Sequence, residues 1–294
     1  MALRLGVFVM PEDTLADPAG LTRFGRTMEE LGFAAIWMGE HLVWYDRYES
    51  PWPYNLDGSF QVDPQREHLE IFEALAFLAA VTERIRLGTG VAIVPQRNPV
   101  YTAKSVMSVD VLSGGRFDFG IGVGWNRAEF DATATPWPRR GDRTDDYLGV
   151  IRSLWTEDPS SYAGEFYALA PCHLHPNPVQ RPHPPIHVSG HSPGALRRAA
   201  AIGQGWYGWF ADPRATAAIV ADLAARLGER GRSLAGFQIT VTPPRELPLD
   251  ATTLRAYEAA GVDLLLPFCA WPKGTALESV LAPLVATLSA CGNA

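Results

Sequence analysis

The sequence predicts a single α/β domain, residues 1–294, folded as a (β/α)8 TIM barrel. Short runs of aliphatic and aromatic residues alternate with helical stretches along the whole chain. Alternation of strands and helices favours parallel pairing, and eight such units in a chain of this length favour a closed barrel. An open doubly wound sheet is the alternative, and it usually carries a glycine fingerprint after its first strand. The residues at that point, Val9-Met10-Pro11-Glu12, do not form one.

Local composition and helix-ending residues define the individual elements. Gly32 follows the first predicted helix and is a typical C-terminal cap. Thr144 and two aspartates lie in the first turn of the helix that begins at Arg143, where the helix dipole favours acidic groups. The predicted strands are residues 3–9, 34–38, 84–95, 117–123, 186–189, 206–210, 237–241 and 262–268. The predicted helices are residues 21–31, 69–82, 99–112, 143–155, 194–202, 213–229, 252–260 and 275–290.

Two segments are longer than a simple connection between a strand and a helix. Residues 42–66 are rich in aromatic residues and proline, and a loop of that length in a compact domain is usually functional or disordered. Its many aromatic side chains argue against disorder. Residues 156–185 are predicted to form an extended, proline-rich insertion. The prediction is therefore a barrel with loop insertions at the C-terminal face of its strands.

The composition limits the partners that the protein can have. The formal net charge is −7 and the Lys and Arg residues are scattered, so neither nucleic acid nor a membrane is expected as a partner. The cysteines are odd in number and far apart, which is typical of a reducing compartment without structural disulfides. The N-terminal apolar run is too short for a signal peptide, and no run reaches membrane-spanning length. We therefore expect a cytoplasmic protein.

Two glycines interrupt the third predicted strand in the middle of an aliphatic run. Gly88 and Gly90 lie on the same face of the strand, because side chains alternate along it. A glycine inside a strand usually marks a bulge or a close approach by a ligand or another part of the chain. The pair is therefore either a feature of helix-to-strand packing or a bare platform for a flat ring.

In a barrel the active site lies where the strands end. The residues at these ends are Glu40-His41 after the second strand, Gly90-Val91-Ala92 in the third, Gly122-Val123-Gly124-Trp125 after the fourth and Ser189-Gly190-His191-Ser192 after the fifth. They offer two imidazoles, one carboxylate, bare backbone and an aromatic ring. Such a site suits a planar cofactor that supplies the reactivity itself.

Other barrel chemistries lack the residues that they need. A metal-dependent hydrolase requires clustered ligands, and a retaining glycosidase requires two facing carboxylates; neither set stands at the strand ends. Cys172, His173 and His175 have metal-binding side chains, but they lie in the proline-rich insertion and their spacing matches no closed zinc site. The sequence therefore predicts no metal centre.

The segment Ser189-Gly190-His191-Ser192 opens a helix. Free backbone N–H groups and the helix dipole make such a position an anion site, suited to a phosphate group. A simple N-cap by Ser192 ahead of Pro193 explains the same residues. The two interpretations are compatible, because a cap and a phosphate site use the same geometry.

Six short segments each match a known family only weakly, but their order and spacing along the chain together are a specific family signature. They are Ile36-Trp37-Met38-Gly39-Glu40-His41, residues 82–90, Leu112-Ser113-Gly114-Gly115-Arg116, residues 120–125 with Glu129-Phe130, residues 178–185, and Gly190-His191-Ser192 with residues 195–200. Together they resemble the bacterial luciferase-like monooxygenase superfamily, and within it the branch of F420-dependent oxidoreductases. The resemblance covers nearly the whole chain.

The resemblance implies a (β/α)8 barrel, usually a homodimer, that binds F420 or FMN at the strand C-termini. In relatives the third strand carries a non-prolyl cis peptide behind the cofactor ring, and the corresponding peptide here joins Gly90 and Val91. The implied cofactor-binding residues are Gly90, Val91, Ala92, Gly122, Gly124 and Trp125 for the ring and Ser189, Gly190, His191 and Ser192 for the phosphate. A separate flavin or F420 reductase is the implied source of reduced cofactor. Some F420 enzymes place a catalytic glutamate where this chain has Trp125, which argues against a sugar-phosphate dehydrogenase.

His41 and Glu40 are the candidate catalytic residues. A histidine at the end of a strand is often only a structural hydrogen-bonding group, but this one lies at the catalytic end beside a carboxylate and an aromatic loop. Trp44 and Tyr45 are the candidates for the substrate pocket, and plain packing of their rings over apolar surface explains them equally well.

The sequence therefore predicts an F420-dependent oxidoreductase that transfers a hydride between the deazaflavin C5 and a small organic substrate, while His41 moves the accompanying proton. An FMN-dependent monooxygenase that uses reduced flavin and O2 is the alternative and shares the same pocket. A flavin-binding protein without turnover is a third possibility, against which Glu40, His41 and the aromatic loop argue. The many aromatic residues indicate an apolar or ring-shaped substrate.

Overall fold

A computed structural model describes residues 3–54 and 57–292, and its main feature is a parallel sheet that curls into a barrel. Each of the predicted barrel strands is present, with ends that differ by a few residues. The strands are β1 (Arg4–Leu5), β2 (Val7–Val9), β3 (Ala35–Met38), β4 (Arg86–Thr89), β5 (Ala92–Ile93), β6 (Phe117–Gly122), β7 (Ser160–Ala163), β8 (Ala168–Cys172), β9 (Ile186–Ser189), β10 (Gly205–Trp209), β11 (Gln238–Thr242) and β12 (Leu264–Leu265).

Several helices begin at a side-chain cap that is followed by proline. Asp17, Asn98, Ser192 and Asp212 each accept a hydrogen bond from an N–H in the first turn, and each precedes a proline. The helices are α1 (Pro18–Glu30), α2 (Ile71–Val81), α3 (Pro99–Leu112), α4 (Arg127–Ala132), α5 (Arg140–Thr156), α6 (Pro193–Ile202), α7 (Pro213–Gly228), α8 (Ala251–Ala259) and α9 (Leu277–Ala290). Within residues 3–54 and 57–292, no helix combines the length and apolar character needed to cross a membrane.

The barrel closes through its first strand, which Gly6 divides into two parts. The strands follow the order β1-β12-β11-β10-β9-β6-β4-β3-β2, so β1 and β2 pair with opposite ends of the sheet. The N–H of Gly6 donates to Leu265 O at 2.9 Å. A Cβ at Gly6 would lie 2.6 Å from Ala35 O and 2.7 Å from Cδ2 of Leu266. The glycine therefore lets both neighbouring strands approach the first one.

The strand side chains alternate between an outer core under the helices and an inner core inside the barrel. The inner core consists of Phe8, Ala35, Trp37, Tyr207, Leu264 and Leu266. Gly88 faces this inner core, because a Cβ added to it would lie 2.4 Å from Nε1 of Trp37. Packing against the protein's own indole explains Gly88, and no cofactor platform is needed at that position.

The proline-rich insertion at residues 156–185 contains an antiparallel hairpin that the sequence does not predict. In this hairpin β7 pairs with β8, and the pairing is irregular between Ser160 and Tyr162. Pro171 lies in β8 and lacks an N–H group, which normally argues against a strand. It is tolerated here because the hairpin has only two strands and an irregular register. The short helix α4 is a second element outside the prediction.

Candidate active site

His41 follows β3 at the C-terminal end of the barrel and pairs with a glutamate from α4. Its Nδ1 atom lies 2.9 Å from Oε1 of Glu129, and the same oxygen accepts a hydrogen bond from the N–H of Leu42 at 3.2 Å. The Glu129 side chain is 5% exposed and that of His41 is 14% exposed. A carboxylate can only accept, so it favours the imidazole tautomer that carries its proton on Nδ1. Nε2 of His41 is then the ring atom that can exchange a proton with a ligand.

Glu129 is a site residue whose role the sequence reasoning missed. It is 88 residues away from His41 in the chain, and it enters the sequence analysis only as part of a resembling segment. A local signal was available, since Asn126 caps α4 by accepting from the N–H of Ala128 and is followed three residues later by Glu129. This spacing is typical of a helix N-terminus. It could have located α4 beside the strand end.

Aromatic rings pack around His41. The ring centroid of Trp44 lies 4.8 Å from that of His41, and the centroid of Phe60 lies 5.6 Å away. Trp125 meets His41 edge-on at 6.3 Å and contacts Phe60 at 4.9 Å. The structure thus brings together Trp44, predicted for the substrate pocket, and Trp125, predicted near the cofactor ring. These rings lower the local dielectric, which strengthens the pairing of His41 with its carboxylate.

Tyr45 fixes the aromatic loop to α4. Its hydroxyl donates to Ala128 O at 2.9 Å, and its ring meets that of Tyr48 edge-on at 6.1 Å. The N–H of Arg127 donates to Oγ of Ser50 at 3.0 Å and adds a second connection between loop and helix. The hydroxyl of Tyr45, which is predicted to line the substrate pocket, is therefore engaged in holding the loop beside Glu129.

The aromatic loop continues across the barrel mouth to the strands on the far side. Trp52 contacts Phe210 after β10 at 5.9 Å between ring centroids. Tyr54 contacts His191 at 5.7 Å and Trp209 at 6.5 Å, and burial raises the pKa of its phenol. The loop therefore connects the surroundings of His41 with the predicted phosphate segment.

Glu40 is buried in an ion pair with Arg97. Its Oε1 accepts from Nε of Arg97 at 2.6 Å, and its Oε2 accepts from the N–H of Ile93 at 2.5 Å. Arg97 also pairs with Glu70, the residue that caps α2. Burial alone would lower the pKa of Arg97, but the two carboxylates raise it, so its guanidinium stays charged. Both oxygens of Glu40 therefore have partners, and these partners belong to the segment that follows β4.

The glycines at the ends of the third and fourth barrel strands allow these strands to lie close together. The peptide between Gly90 and Val91 is cis, as the resemblance implies, and Ala92 is buried in the pairing with β6. A Cβ at Gly122 would lie 2.6 Å from Cγ2 of Val91. At Gly124, φ is +77°, and a Cβ there would lie 2.7 Å from the ring of Phe130. Gly122 therefore leaves room for the side chain of Val91, and Gly124 leaves room for the ring of Phe130.

The predicted phosphate segment opens α6 as expected from its sequence. Oγ of Ser192 accepts from the N–H of Ala195 at 3.2 Å, and the carbonyl of Gly190 accepts from Nε1 of Trp206 at 2.9 Å. Within the described part of the chain, the N–H groups of Gly190, His191 and Ser192 have no acceptor. The N-cap interpretation is confirmed, and donors for a phosphate are available beside it. The contact between Tyr54 and His191 is the link from this segment to the aromatic loop.

His68, near the end of the aromatic region, is a half-buried histidine whose Nε2 atom is buried. Its ring meets Trp44 edge-on at 5.4 Å, and its Nε2 atom has no hydrogen-bond partner among the described residues. Burial, together with the nearby His41, lowers the pKa of His68 to about 4. The ordinary imidazole value in an unfolded chain is about 6.5.

Lowering the pH from about 6.5, the pKa of His68 in the unfolded chain, to about 4, its pKa in the folded protein, should destabilise the fold. In this window the unfolded chain binds a proton at His68 that the folded chain does not bind, so the free energy of unfolding falls as the pH falls, by about 3 kcal/mol for this residue. The stability that the neutral His68 contributes is fully present when the pH is above the pKa of the unfolded state, and it is lost when the pH is below the pKa of the folded state. His68→Gln does not titrate and should lack this part of the pH dependence. Urea unfolding of both proteins at several pH values measures the difference, and parallel curves would show that His68 titrates alike in both states.

Comparison with known proteins places this chain in a family. A family model described as luciferase-like monooxygenase matches residues 3–281. An uncharacterized protein of Mycobacterium tuberculosis is 32% identical over 212 residues, which are 72% of this chain and 73% of the relative. An FMNH2-dependent dimethylsulfone monooxygenase of Pseudomonas putida is 32% identical over 151 residues, which are 50% of this chain and 40% of that relative.

Solved structures share the fold at lower identity. The coenzyme F420 dependent tetrahydromethanopterin reductase from Methanopyrus kandleri superposes with a TM-score of 0.73 at 17% identity, over 98% of this chain and 97% of that one. This likeness confirms the predicted barrel. The matched residues 3–281 include all barrel strands, His41, Glu129 and the segment that opens α6. The chain therefore belongs to the luciferase-like monooxygenase family.

Proposed function

We propose that the protein is an F420-dependent oxidoreductase that transfers a hydride between the coenzyme and a small organic substrate. The observation that carries this proposal is the buried pair of His41 and Glu129 at the C-terminal end of the barrel. Hydride transfer to or from a carbonyl or alcohol carbon requires that a proton moves as well. A histidine held by a carboxylate and surrounded by aromatic rings is suited to general acid–base catalysis of that step.

The residues at the strand ends fit a cofactor with a flat ring and a phosphate group. The N–H groups of Gly190, His191 and Ser192 are available to donate to phosphate oxygens at the start of α6, where the helix dipole also favours an anion. On the ring side, the Gly90–Val91 peptide lies at the strand ends, and Gly122 makes room there for the side chain of Val91. When bound, F420 would supply the carbon of the deazaflavin ring that accepts or donates the hydride.

The chain's own residues then have separate roles. His41 exchanges a proton with the substrate through Nε2, while Glu129 keeps the proton on Nδ1 and balances the charge of the imidazolium. Glu40 acts indirectly, because its bonds to Arg97 and to the N–H of Ile93 hold the segment after the Gly90–Val91 peptide. In this proposal Glu40 is a positioning residue and does not transfer a proton.

The side chains around His41 favour an apolar or ring-shaped substrate. Trp44, Phe60 and Trp125 contribute aromatic surface next to the imidazole. Binding sites for small molecules are lined mainly by such side chains, with few polar groups that fix the orientation of the ligand. A substrate with one carbonyl or hydroxyl group near His41 and an otherwise apolar body meets both conditions.

An FMN-dependent monooxygenase is the second candidate. It is favoured by the Pseudomonas putida relative, whose name states that it depends on FMNH2. FMN also carries a flat ring and a phosphate, so the N–H groups at the start of α6 and the Gly90–Val91 peptide would serve it as well. The geometry of the site is compatible with either cofactor.

Separate titrations of the cofactor-free protein with F420 and with FMN distinguish the two candidates. We expect F420 to bind with a Kd in the low micromolar range or below and FMN to bind clearly more weakly, because the six sequence segments resemble those of the F420 branch. Cofactor fluorescence measures both affinities. Comparable or tighter binding of FMN, with O2 consumption when reduced FMN is supplied, would instead support the monooxygenase. Failure of both cofactors to bind would overturn both candidates.

A further inference from the structure

Three exposed side chains meet at the open end of the hairpin formed by β7 and β8. Asp158 precedes β7, and His173 and His175 follow β8, so antiparallel pairing of the two strands brings them together. Nδ1 of His173 forms an ion pair with Oδ1 of Asp158, and Nε2 of His175 lies 3.6 Å from Oδ2 of the same carboxylate. The three candidate ligand atoms all lie within 4.8 Å of one another.

In the folded chain the third member of this cluster is Asp158 and not Cys172, the cysteine next to His173 in the sequence. The local sequence offers Cys172, His173 and His175, a set that matches no closed zinc site. Cys172, however, packs against the hydrophobic core, since successive residues of a strand face opposite sides. The carboxylate of Asp158, which is 15 residues before His173 in the chain, takes its place. Because this partner is distant in sequence, the spacing of the histidines alone does not reveal the cluster.

We propose that Asp158, His173 and His175 bind a divalent transition-metal ion such as Zn²⁺. Two imidazole nitrogens and a carboxylate suit Zn²⁺ and Ni²⁺, whereas Mg²⁺ and Ca²⁺ prefer oxygen ligands alone. Metal–ligand bonds of about 2.0–2.2 Å place ligand atoms about 3.3 Å apart. The three side chains are exposed, and small rotations about their side-chain bonds would bring the ligand atoms to this separation.

The ion would connect the two ends of the hairpin and so stabilise the insertion. A ligand that binds only the folded state raises stability in proportion to the logarithm of its concentration above Kd. This site belongs to the connection between α5 and β9, whereas His41 and the cofactor-binding candidates stand at the ends of barrel strands. The proposal is therefore independent of the proposed function, and its test does not require knowledge of the cofactor or the substrate.

The test is equilibrium dialysis of the full-length, chelator-treated protein against Zn²⁺, with a purification tag that contains no histidine. We expect one Zn²⁺ per chain with a Kd in the micromolar range and no binding of Mg²⁺. His173→Ala and His175→Ala should each weaken binding at least about tenfold, because each removes one of three ligands. The double variant should bind no Zn²⁺ at this site. Zn²⁺ should also raise the Tm of the wild type by a few degrees and leave that of the double variant unchanged.

His191→Ala is the matched control, since it removes an exposed histidine outside the cluster and should retain wild-type Zn²⁺ affinity. Circular dichroism tests whether each variant is folded. We expect the cluster variants to fold, because the side chains of His173 and His175 are exposed. The proposal is overturned if the wild type binds no Zn²⁺ at about 100 μM free metal, a concentration well above the Kd expected for three ligands. Equal binding by the wild type and the double variant would overturn it as well. Either result would leave an ordinary surface ion pair.

Discussion

Replacing His41 with phenylalanine should slow hydride transfer by about 10²–10⁴-fold and leave cofactor affinity within a few-fold of the wild type. Phenylalanine retains a ring of similar size, so the packing against Trp44, Phe60 and Trp125 should survive. Affinity should change little, because the residues proposed to hold the ring and phosphate of the cofactor lie on other strands. Stopped-flow absorbance of the deazaflavin in single turnovers with an accepted substrate measures the rate.

A double-mutant cycle separates the contribution of His41 from that of its partner. Glu129→Gln keeps the shape of the side chain and removes its charge, so it should slow the same step by a smaller factor. In the double variant the loss should equal that of His41→Phe alone, because Glu129 acts through His41. Glu278→Gln is the control, since it removes an exposed carboxylate paired with Arg23 and should leave the rate unchanged.

Two outcomes would contradict this role for His41. A rate of His41→Phe within a few-fold of the wild type would reduce the histidine to a structural residue that holds the aromatic loop. A large loss of cofactor affinity with an unchanged rate at saturation would make it a binding residue. Additive losses in the double variant would show that Glu129 acts on its own.

Gly90→Val should abolish cofactor binding and leave a folded barrel. A Cβ at residue 90 would lie 3.1 Å from the ring of Phe8 and 3.4 Å from Cε1 of Tyr207, so the valine side chain must displace inner-core aromatic rings. Overpacking of this kind usually costs about 1–3 kcal/mol of stability. The displaced Phe8 ring and the new methyl groups would then occupy the space proposed for the cofactor ring. Titration with F420, together with circular dichroism and thermal unfolding, measures both effects.

Two further variants test whether the loss of cofactor binding in Gly90→Val comes from the side chain at this position. Gly90→Ala adds only the Cβ atom, so it should fold more readily and show an intermediate loss of affinity. Gly228→Val introduces the same side chain at the end of α7, where a Cβ would have no neighbour within 4 Å, and it should bind cofactor normally. Normal cofactor binding by folded Gly90→Val would mean that the ring lies elsewhere.

The barrel itself could be predicted because its signals are local. Asn98 followed by Pro99 marks the start of α3, and the observed helix has the predicted bounds, residues 99–112. Aliphatic runs identified the barrel strands in the same way, and parallel strands all end on one face of the barrel. The position of His41 at the catalytic end follows from these two facts. The hairpin of β7 and β8 escaped prediction because Pro171 argues against a strand and only pairing with its neighbour maintains it.

The sequence by itself determined which residue types stand at the strand ends, and the tertiary structure decided what each of them contacts. Docking of α4 brings Glu129 to His41, and the segment after β4 brings Arg97 to Glu40 at the end of the neighbouring strand β3. Pairing of β3 with β4 places Gly88 beside the indole of Trp37. Such pairings join residues that are tens of positions apart, and their energy is gained only when the strands and helices that carry them have docked. Local sequence records the types of these residues, and only the folded chain shows which histidine has a carboxylate partner and which carboxylate is held by an arginine.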